Sequence, residues 1–349
     1  ALQNTVRTFN HAVEVIDYRC AHKKRYYRLL DISKDKSIKG NIHALINYPY
    51  RLMKYIKFED FRKRYLNCTS KVYRTPESLQ HTNNWDIVIT GSDQVWNYIN
   101  TGFDQTYLLD FVANDYQKIA YAASFGINRI ELPYQETYHK LLSQIKFLSV
   151  RESSAQTMVA DLIGPAPKVV VDPTMLLTAD TWRTYIKPAA QKEKYILLYT
   201  INNSKAINQL AHELASLTGY KVVKIATQIL DYIGKWASVL PSPLEFISLI
   251  NDSEYVLTDS FHGTILSINL NKNFYTYHEA KKGANRRLTD LLKDFNLENR
   301  IIYAKQHFPT LNTIDYSTIN PIIHTRRTDS LNFLETSLKD CINTIEKER

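Results

Sequence analysis

Alternation of strand-length apolar runs with segments of helical period predicts an α/β fold of two parallel-sheet domains. Three features carry that expectation. The alternation persists from end to end, polar clusters follow directly on several of the apolar runs, and 349 residues exceed what one ordinary core organises. Strand candidates in the first half are 13–18, 86–90, 118–123, 147–151 and 168–172; in the second half they are 195–200, 221–226, 255–259 and 273–277. They are β-branched or aromatic with little alternation, the pattern of strands covered on both faces. Helical periods fill about 132–146, 152–163, 203–217, 243–251, 263–270, 286–295 and 329–346. Asn203-Ser204 and Ser242-Pro243 supply helix starts, and Glu245 completes a capping box with Ser242.

The polar stretch Lys187-Pro188-Ala189-Ala190-Gln191-Lys192-Glu193 marks the domain break. The expected domains are 1–185 and 186–328, with 329–349 a closing helix that packs back on the first. Two such domains facing across a cleft hold ligands at the carboxyl ends of their strands. Residues 1–10 read as the end of a helix leading into strand 13–18, so the strand expected ahead of that helix is missing and the chain reads as truncated.

Composition narrows the function classes. With 44% hydrophobic and 23% charged residues the chain is globular rather than disordered, and no apolar run approaches the ~18 residues of a membrane span. Cys20, Cys68 and Cys341 are too scattered for a disulfide framework or a zinc site, which points to a reducing compartment and a cytoplasmic location. A net charge of +9 favours anionic partners. Nucleic acid is set aside because no groove-reading or RNA-binding signature accompanies the charge. The stretches 19–28 and 51–65 are basic and aromatic; they are either solvated helix faces or a surface for a glycan or an anionic lipid carrier at the inner face of the cell membrane.

The polar clusters that follow strands are where chemistry is expected. Gly91-Ser92-Asp93-Gln94-Val95-Trp96 follows the first of these strands, and Asp93 is either a helix cap or a general base. Ser124-Phe125-Gly126 forms a short loop that lets backbone approach a ligand. Arg151, at another strand end, either forks onto a carboxylate or phosphate or pairs with Glu152 or Asp172. Asp172 reads as a cap. In Asp259-Ser260-Phe261-His262-Gly263-Thr264, His262 stands at a helix N-terminus, where the N–H groups of Ser260, Gly263 and Thr264 suit an anion. Lys281, Lys282, Arg286 and Arg287 form either an anion clamp or an ordinary charged loop. P-loop, GxGxxG, HExxH, paired CxxC and nucleophile-elbow motifs are all absent from the sequence.

Taken in order, these stretches resemble the polysaccharide pyruvyl transferase family. The matching residues are Asp86-Ile-Val-Ile-Thr-Gly-Ser-Asp-Gln-Val-Trp96, Tyr121-Ala-Ala-Ser-Phe-Gly126, Val150-Arg-Glu152 and Val171-Asp-Pro-Thr174. They continue with Tyr195-Ile-Leu-Leu-Tyr199, Ser242-Pro-Leu-Glu-Phe246, Thr258-Asp-Ser-Phe-His-Gly263 and Asn285-Arg-Arg-Leu-Thr-Asp-Leu-Leu292. The resemblance implies two Rossmann-like domains in a glycosyltransferase-B-like arrangement. It also implies transfer of pyruvate from phosphoenolpyruvate to two hydroxyls of a sugar, lipid-linked or polymeric, with neither a metal nor a further cofactor.

On that reading His262 contacts phosphate and donates a proton, and Asp93 is the base toward the acceptor. Arg151, Lys282 and Arg287 meet the donor's charges, with Ser260, Gly263 and Thr264 forming the anion-binding turn. Gly91, Ser92, Gln94, Trp96, Ser124, Phe125 and Gly126 line the acceptor side. One departure stands out: relatives often carry Arg-Leu-His where this chain has Ser260-Phe261-His262. Two rival readings follow from the same fold, a glycosyltransferase with a nucleotide-sugar donor and a non-catalytic subunit that binds glycan or lipid carrier.

Overall fold

The structure, a computed structural model, describes all residues except 21, 23–28, 31, 33–36, 81–84, 189, 190, 192, 280–285, 305, 307, 309, 310 and 349. The first part of the chain runs α1 (Leu2–Thr8), β1 (Val15–Tyr18), α2 (Ile38–Ile46), α3 (Tyr48–Tyr65), β2 (Cys68–Tyr73), β3 (Val88–Thr90), β4 (Lys118–Ala123), α4 (Leu132–Ser143), β5 (Phe147–Val150), α5 (Ser153–Ile163) and β6 (Lys168–Val169). There follow β7 (Tyr195–Tyr199), α6 (Lys205–Thr218), β8 (Lys221–Ile225), β9 (Ala237–Val239), α7 (Pro243–Asp252), β10 (Tyr255–Thr258), α8 (Phe261–Asn269), β11 (Asn273–His278), α9 (Arg286–Asp294), β12 (Ile301–Tyr303) and α10 (Tyr316–Glu348). Short helical turns complete the connections.

The chain divides into two compact units. Unit 1 holds residues 1–26, 67–177 and 320–349; unit 2 holds 27–66 and 178–319. The sequence suggested continuous domains, 1–185 and 186–328. The stretch 27–66 instead joins unit 2, because its helices are bonded there. Tyr50 Oη donates to Ala226 O (2.9 Å), Asn47 Oδ1 accepts from Ile229 N (2.9 Å), and Lys57 Nζ meets Glu245 Oε2 at 2.7 Å.

Unit 2 carries a six-stranded sheet in the order β12-β11-β10-β7-β8-β9, with every pairing parallel. Numbered within the unit this is 3-2-1-4-5-6, the strand order of a dinucleotide-binding Rossmann sheet. The order reverses between β7 and β10, the switch point at whose carboxyl ends sheets of this order take their ligands. The local sequence explains the elements. β7 buries Tyr195, Ile196, Leu197 and Leu198 in succession, as a central parallel strand does. α6 starts where Ser204 accepts a hydrogen bond from Ile207 N and stops at Gly219 in the left-handed region (φ +72°). Between those caps Ile207, Leu210, Ala211 and Leu214 recur at helical spacing and are all buried. α7 opens on the expected capping box: Ser242 N donates to Glu245 Oε2 (2.7 Å) and Glu245 N to Ser242 Oγ (3.4 Å).

Unit 1 has a four-stranded parallel sheet, β3-β4-β5-β6, and a separate parallel pair, β1-β2. β4 is buried along its whole length. β1 and β3 are both edge strands, and a cavity of about 970 Å³ is lined by residues of both, together with Leu2 and Val6 of α1 and Leu338, Ile342 and Ile345 of α10. α10 secures this unit by its own hydrogen bonds: Ser330 Oγ accepts from Val171 N (3.0 Å) and Arg327 Nε donates to Met175 O (2.6 Å).

One buried ion pair makes unit 2 sensitive to acid. Lys224, almost fully buried, donates to Asp231 Oδ1 (2.9 Å), and Asp231 Oδ2 also accepts from the N–H groups of Thr227 (2.7 Å) and Gln228 (3.2 Å). Burial disfavours the Asp231 carboxylate, but the Lys224 and Thr227 bonds outweigh it and hold the carboxyl below the ordinary carboxylate range. The folded state therefore prefers the ionised form. Its contribution to stability is present above the ordinary pKa of about 4 and is lost as pH falls through the lower folded value. Urea denaturation of Asp231→Asn between pH 7 and pH 2 is expected to show a flatter acid limb than the parent; identical slopes would remove this pair from the account.

Candidate functional site

In unit 2 the switch point is built around Asp259, the residue after β10. Its carboxylate accepts from Thr200 Oγ1 (2.9 Å), Ile201 N (2.6 Å) and Asn202 N (3.1 Å), tying the loop after β7 to the loop after β10. Ser260 then caps α8: its N–H donates to Thr258 Oγ1 (3.0 Å) and its Oγ accepts from Gly263 N (3.4 Å). Thr264 Oγ1 donates to Ser260 O (3.0 Å) and pairs with Thr276 Oγ1 (2.9 Å). Gly263 is there because space is lacking: an added Cβ would stand 2.5 Å from Thr258 Oγ1.

This corrects the expected anion-binding turn. Ser260, Gly263 and Thr264 are buried, and their polar groups are spent on folding the turn. His262 is the group left over. Its ring is half-buried on the first turn of α8 and makes no hydrogen bond to any described residue. The neighbouring Phe261 ring lies edge-on to it (5.7 Å between centroids, 84°), and the Arg287 guanidinium sits 6.0 Å from the Phe261 centroid. Arg287 of α9 and His262 of α8, expected separately from the sequence, thus both neighbour the Phe261 ring. Lys282 lies outside the described residues.

A further imidazole went unnoticed in the sequence. His278 ends β11, two residues beyond Thr276, at the same carboxyl edge as Asp259. Its Nδ1 is buried without a hydrogen-bond partner among the described residues, and its ring is tilted against Tyr303 at 5.3 Å. Burial pulls its pKa down, so it is neutral at pH 7. The available signal was the strand-ending Tyr277-His278, at the end of a run read as stopping at 277.

In unit 1 the clusters after β3, β4, β5 and β6 meet on Arg151. Its side chain is 1% exposed, with Nη1 3.0 Å from Asp172 Oδ2, Nε 3.3 Å from Glu152 Oε2 and Nη2 3.7 Å from Asp93 Oδ1. Burial works against the charge, but Asp172, Glu152 and Asp93 outweigh it and raise the guanidinium pKa. Ser92 Oγ donates to Asp172 (2.9 Å), and Ser124 Oγ to Glu152. Arg151 is thus held by carboxylates of its own unit, which corrects its assignment as a donor contact.

Two further assignments change with it. Trp96 and Phe125 are core residues: Trp96 Nε1 donates to Tyr107 O (3.1 Å), and the two rings pack at 5.3 Å. Gln94 crowds Gly126, which takes φ +62° and whose Cβ, if present, would stand 2.4 Å from the Gln94 side chain. Gly91 and Ser92 are half-buried beside these groups. Asp93 differs from all of them. Its carboxylate is 62% exposed and its backbone adopts φ +75°, a conformation rare for a residue with a side chain. Its carbonyl accepts from Val95 N (2.8 Å) and Ser124 N (3.1 Å), so the turn is fixed while the carboxylate stays open. Among the described residues no group of three or more His, Cys, Asp or Glu could hold a metal ion.

The sequence profile of the polysaccharide pyruvyl transferase family matches residues 1–277, most of the chain. The chain belongs to that family. Family membership makes it a transferase of polysaccharide synthesis. No curated protein matches it. Solved structures give weak likenesses. UDP-GlcNAc 2-epimerase from Neisseria meningitidis, bound to UDP-GlcNAc, is 13% identical (TM-score 0.47, 97% of this chain and 89% of that one). The enzyme of the same name from Methanocaldococcus jannaschii is 12% identical (0.44, 93% and 87%). The glycosyltransferase SnogD from Streptomyces nogalater is also 12% identical (0.34, 97% and 93%). At these scores the likenesses carry no argument, and the Rossmann character of unit 2 rests on its own strand order.

Two substitutions separate structural from chemical roles in these turns. Arg151→Met leaves buried carboxylates without their cation and is expected to cost about 3–5 kcal/mol in urea unfolding; an unchanged midpoint would show the cluster to be dispensable for folding. Gly263→Ala is expected to cost about 1–3 kcal/mol by overpacking against Thr258, and Thr258→Ala in the same chain should return part of it, read from the two melting temperatures.

Proposed function

We propose that the chain transfers pyruvate from phosphoenolpyruvate to two hydroxyls of one sugar, giving a cyclic ketal and inorganic phosphate. A proton adds to the methylene carbon of the donor while a sugar hydroxyl forms a C–O bond to the neighbouring carbon and gives up its own proton. The second hydroxyl then attacks the same carbon, phosphate leaves with the C–O bond electrons, and the hydroxyl proton is released. The reaction is balanced without an oxidant or reductant. It needs a proton donor, a base, and positive character for a carboxylate and a phosphate.

The observation that carries this reading is the His262 imidazole, free of described partners on the first turn of α8 at the switch point of a Rossmann sheet. The imidazole supplies the proton. Arg287, 6.0 Å from the Phe261 ring, is the cation we assign to the donor, in place of the arginine missing from Ser260-Phe261-His262. Neutral His278 offers a second hydrogen-bonding group at that edge. We assign Asp93, with its open carboxylate, as the base toward the acceptor. The acceptor we expect is a polymeric or lipid-linked glycan.

Phosphate release from phosphoenolpyruvate in the presence of acceptor glycan should fall about 10²–10⁴-fold in His262→Ala, with the melting temperature unchanged. Mass spectrometry of the cell-surface glycan from strains with and without the gene should show loss of the pyruvate ketal. Calorimetric binding of UDP- or CMP-sugars in place of phosphoenolpyruvate would overturn the donor assignment in favour of glycosyl transfer.

A further inference from the structure

Outside the strand-end sites, the helical hairpin α2–α3 of unit 2 has a surface that water does not explain. α2 turns Ile38, Ile42, Leu45 and Ile46 to one side, at spacings of four, seven and eight, and all four are exposed, from 47% at Ile46 to 80% at Ile38. The opposite side is the anchored one: Ala44 is buried and Asn47 is bonded to Ile229. On α3, Tyr50 faces inward to Ala226, while Met53 and Ile56 are about half exposed. Lys63 follows Ile56 by seven positions and Arg64 follows Met53 by eleven, so each shares that residue's side. A cluster of exposed aliphatic side chains on this scale marks an interaction surface.

Charge decides the partner. Residues 38–65 hold seven Lys and Arg against two acids, and both acids are already paired within α3, Glu59 with Arg62 (2.8 Å) and Asp60 with Arg64 (2.8 Å). A second copy laid on this surface would oppose positive charge with positive charge. A leaflet of anionic headgroups neutralises it, and the boundary of its acyl chains accepts Ile38, Ile42, Leu45 and Ile46. No helix among the described residues is long and apolar enough to cross a membrane, so the contact lies along the surface. We propose that α2–α3 docks this protein on an anionic lipid surface. The proposal stands independently of the transfer chemistry.

Co-sedimentation of the full chain with phosphatidylcholine vesicles, with and without phosphatidylglycerol, tests it. Binding is expected to be at least about tenfold tighter with phosphatidylglycerol and to weaken with added salt. The Ile42→Ser/Leu45→Ser variant should lose about tenfold or more of that binding, with its circular dichroism and melting temperature unaltered. A second variant, Lys63→Glu/Arg64→Glu, should lower affinity for the anionic vesicles alone. Equal binding to both vesicle types, or full binding by both variants, would overturn the proposal. So would a dimer in sedimentation velocity that the Ile42/Leu45 variant dissolves, which would make the surface a contact between copies of the chain.

Discussion

Three hydrogen bonds to the Asp259 carboxylate hold the unit 2 site in shape. A parallel sheet leaves each strand exit with backbone groups that the ladder does not satisfy, and here one side chain answers for two exits. With the loop after β7 pinned to the start of α8, Ser260 has to cap the helix, Gly263 has to remain without a side chain, and Thr264 reaches the neighbouring strand. His262 is what that packing leaves unspent. An imidazole without a described partner is a more specific statement about chemistry than a polar motif, because the Ser260, Gly263 and Thr264 groups around it are spent on folding the turn.

Unit 1 solves the same problem with charge. Four strand exits converge, and a buried guanidinium gathers the carboxylates that follow them. Such a cluster is costly to assemble and more costly to break, since removing one member leaves its partners desolvated and unopposed. Its effect on function is indirect. By holding Asp93 Oδ1 at 3.7 Å and fixing the Asp93 carbonyl in two hydrogen bonds, it maintains a strained turn with a solvent-facing carboxylate. Arg151 positions, and Asp93 remains available.

The basic, aromatic stretch 51–65 takes on a different meaning beside α2. As a sequence, it read as either a solvated helix face or a surface for a glycan or an anionic lipid carrier. With the apolar side of α2 open and the acids of α3 paired locally, the proposed lipid surface accounts for both features.

Much of the fold was legible from residues alone. The runs at 118–123, 195–199 and 255–258 are mostly apolar because central parallel strands are covered on both faces, and the caps at Ser204 and Ser242 are local hydrogen-bonding events that need no tertiary partner. β2, β9 and β12 escaped notice because they are short or half-exposed, and the joining of 27–66 to unit 2 depends on bonds to residues such as Ala226 and Ile229, far along the chain. The family motifs were legible too. Which side chain in each turn is free was not. Arg151, Ser260 and Trp96 have the chemistry of ligand-binding residues, and only the folded chain decides whether a guanidinium meets a substrate or three carboxylates of its own protein, because hydrogen-bond partners are set by distance in space and not by separation in sequence.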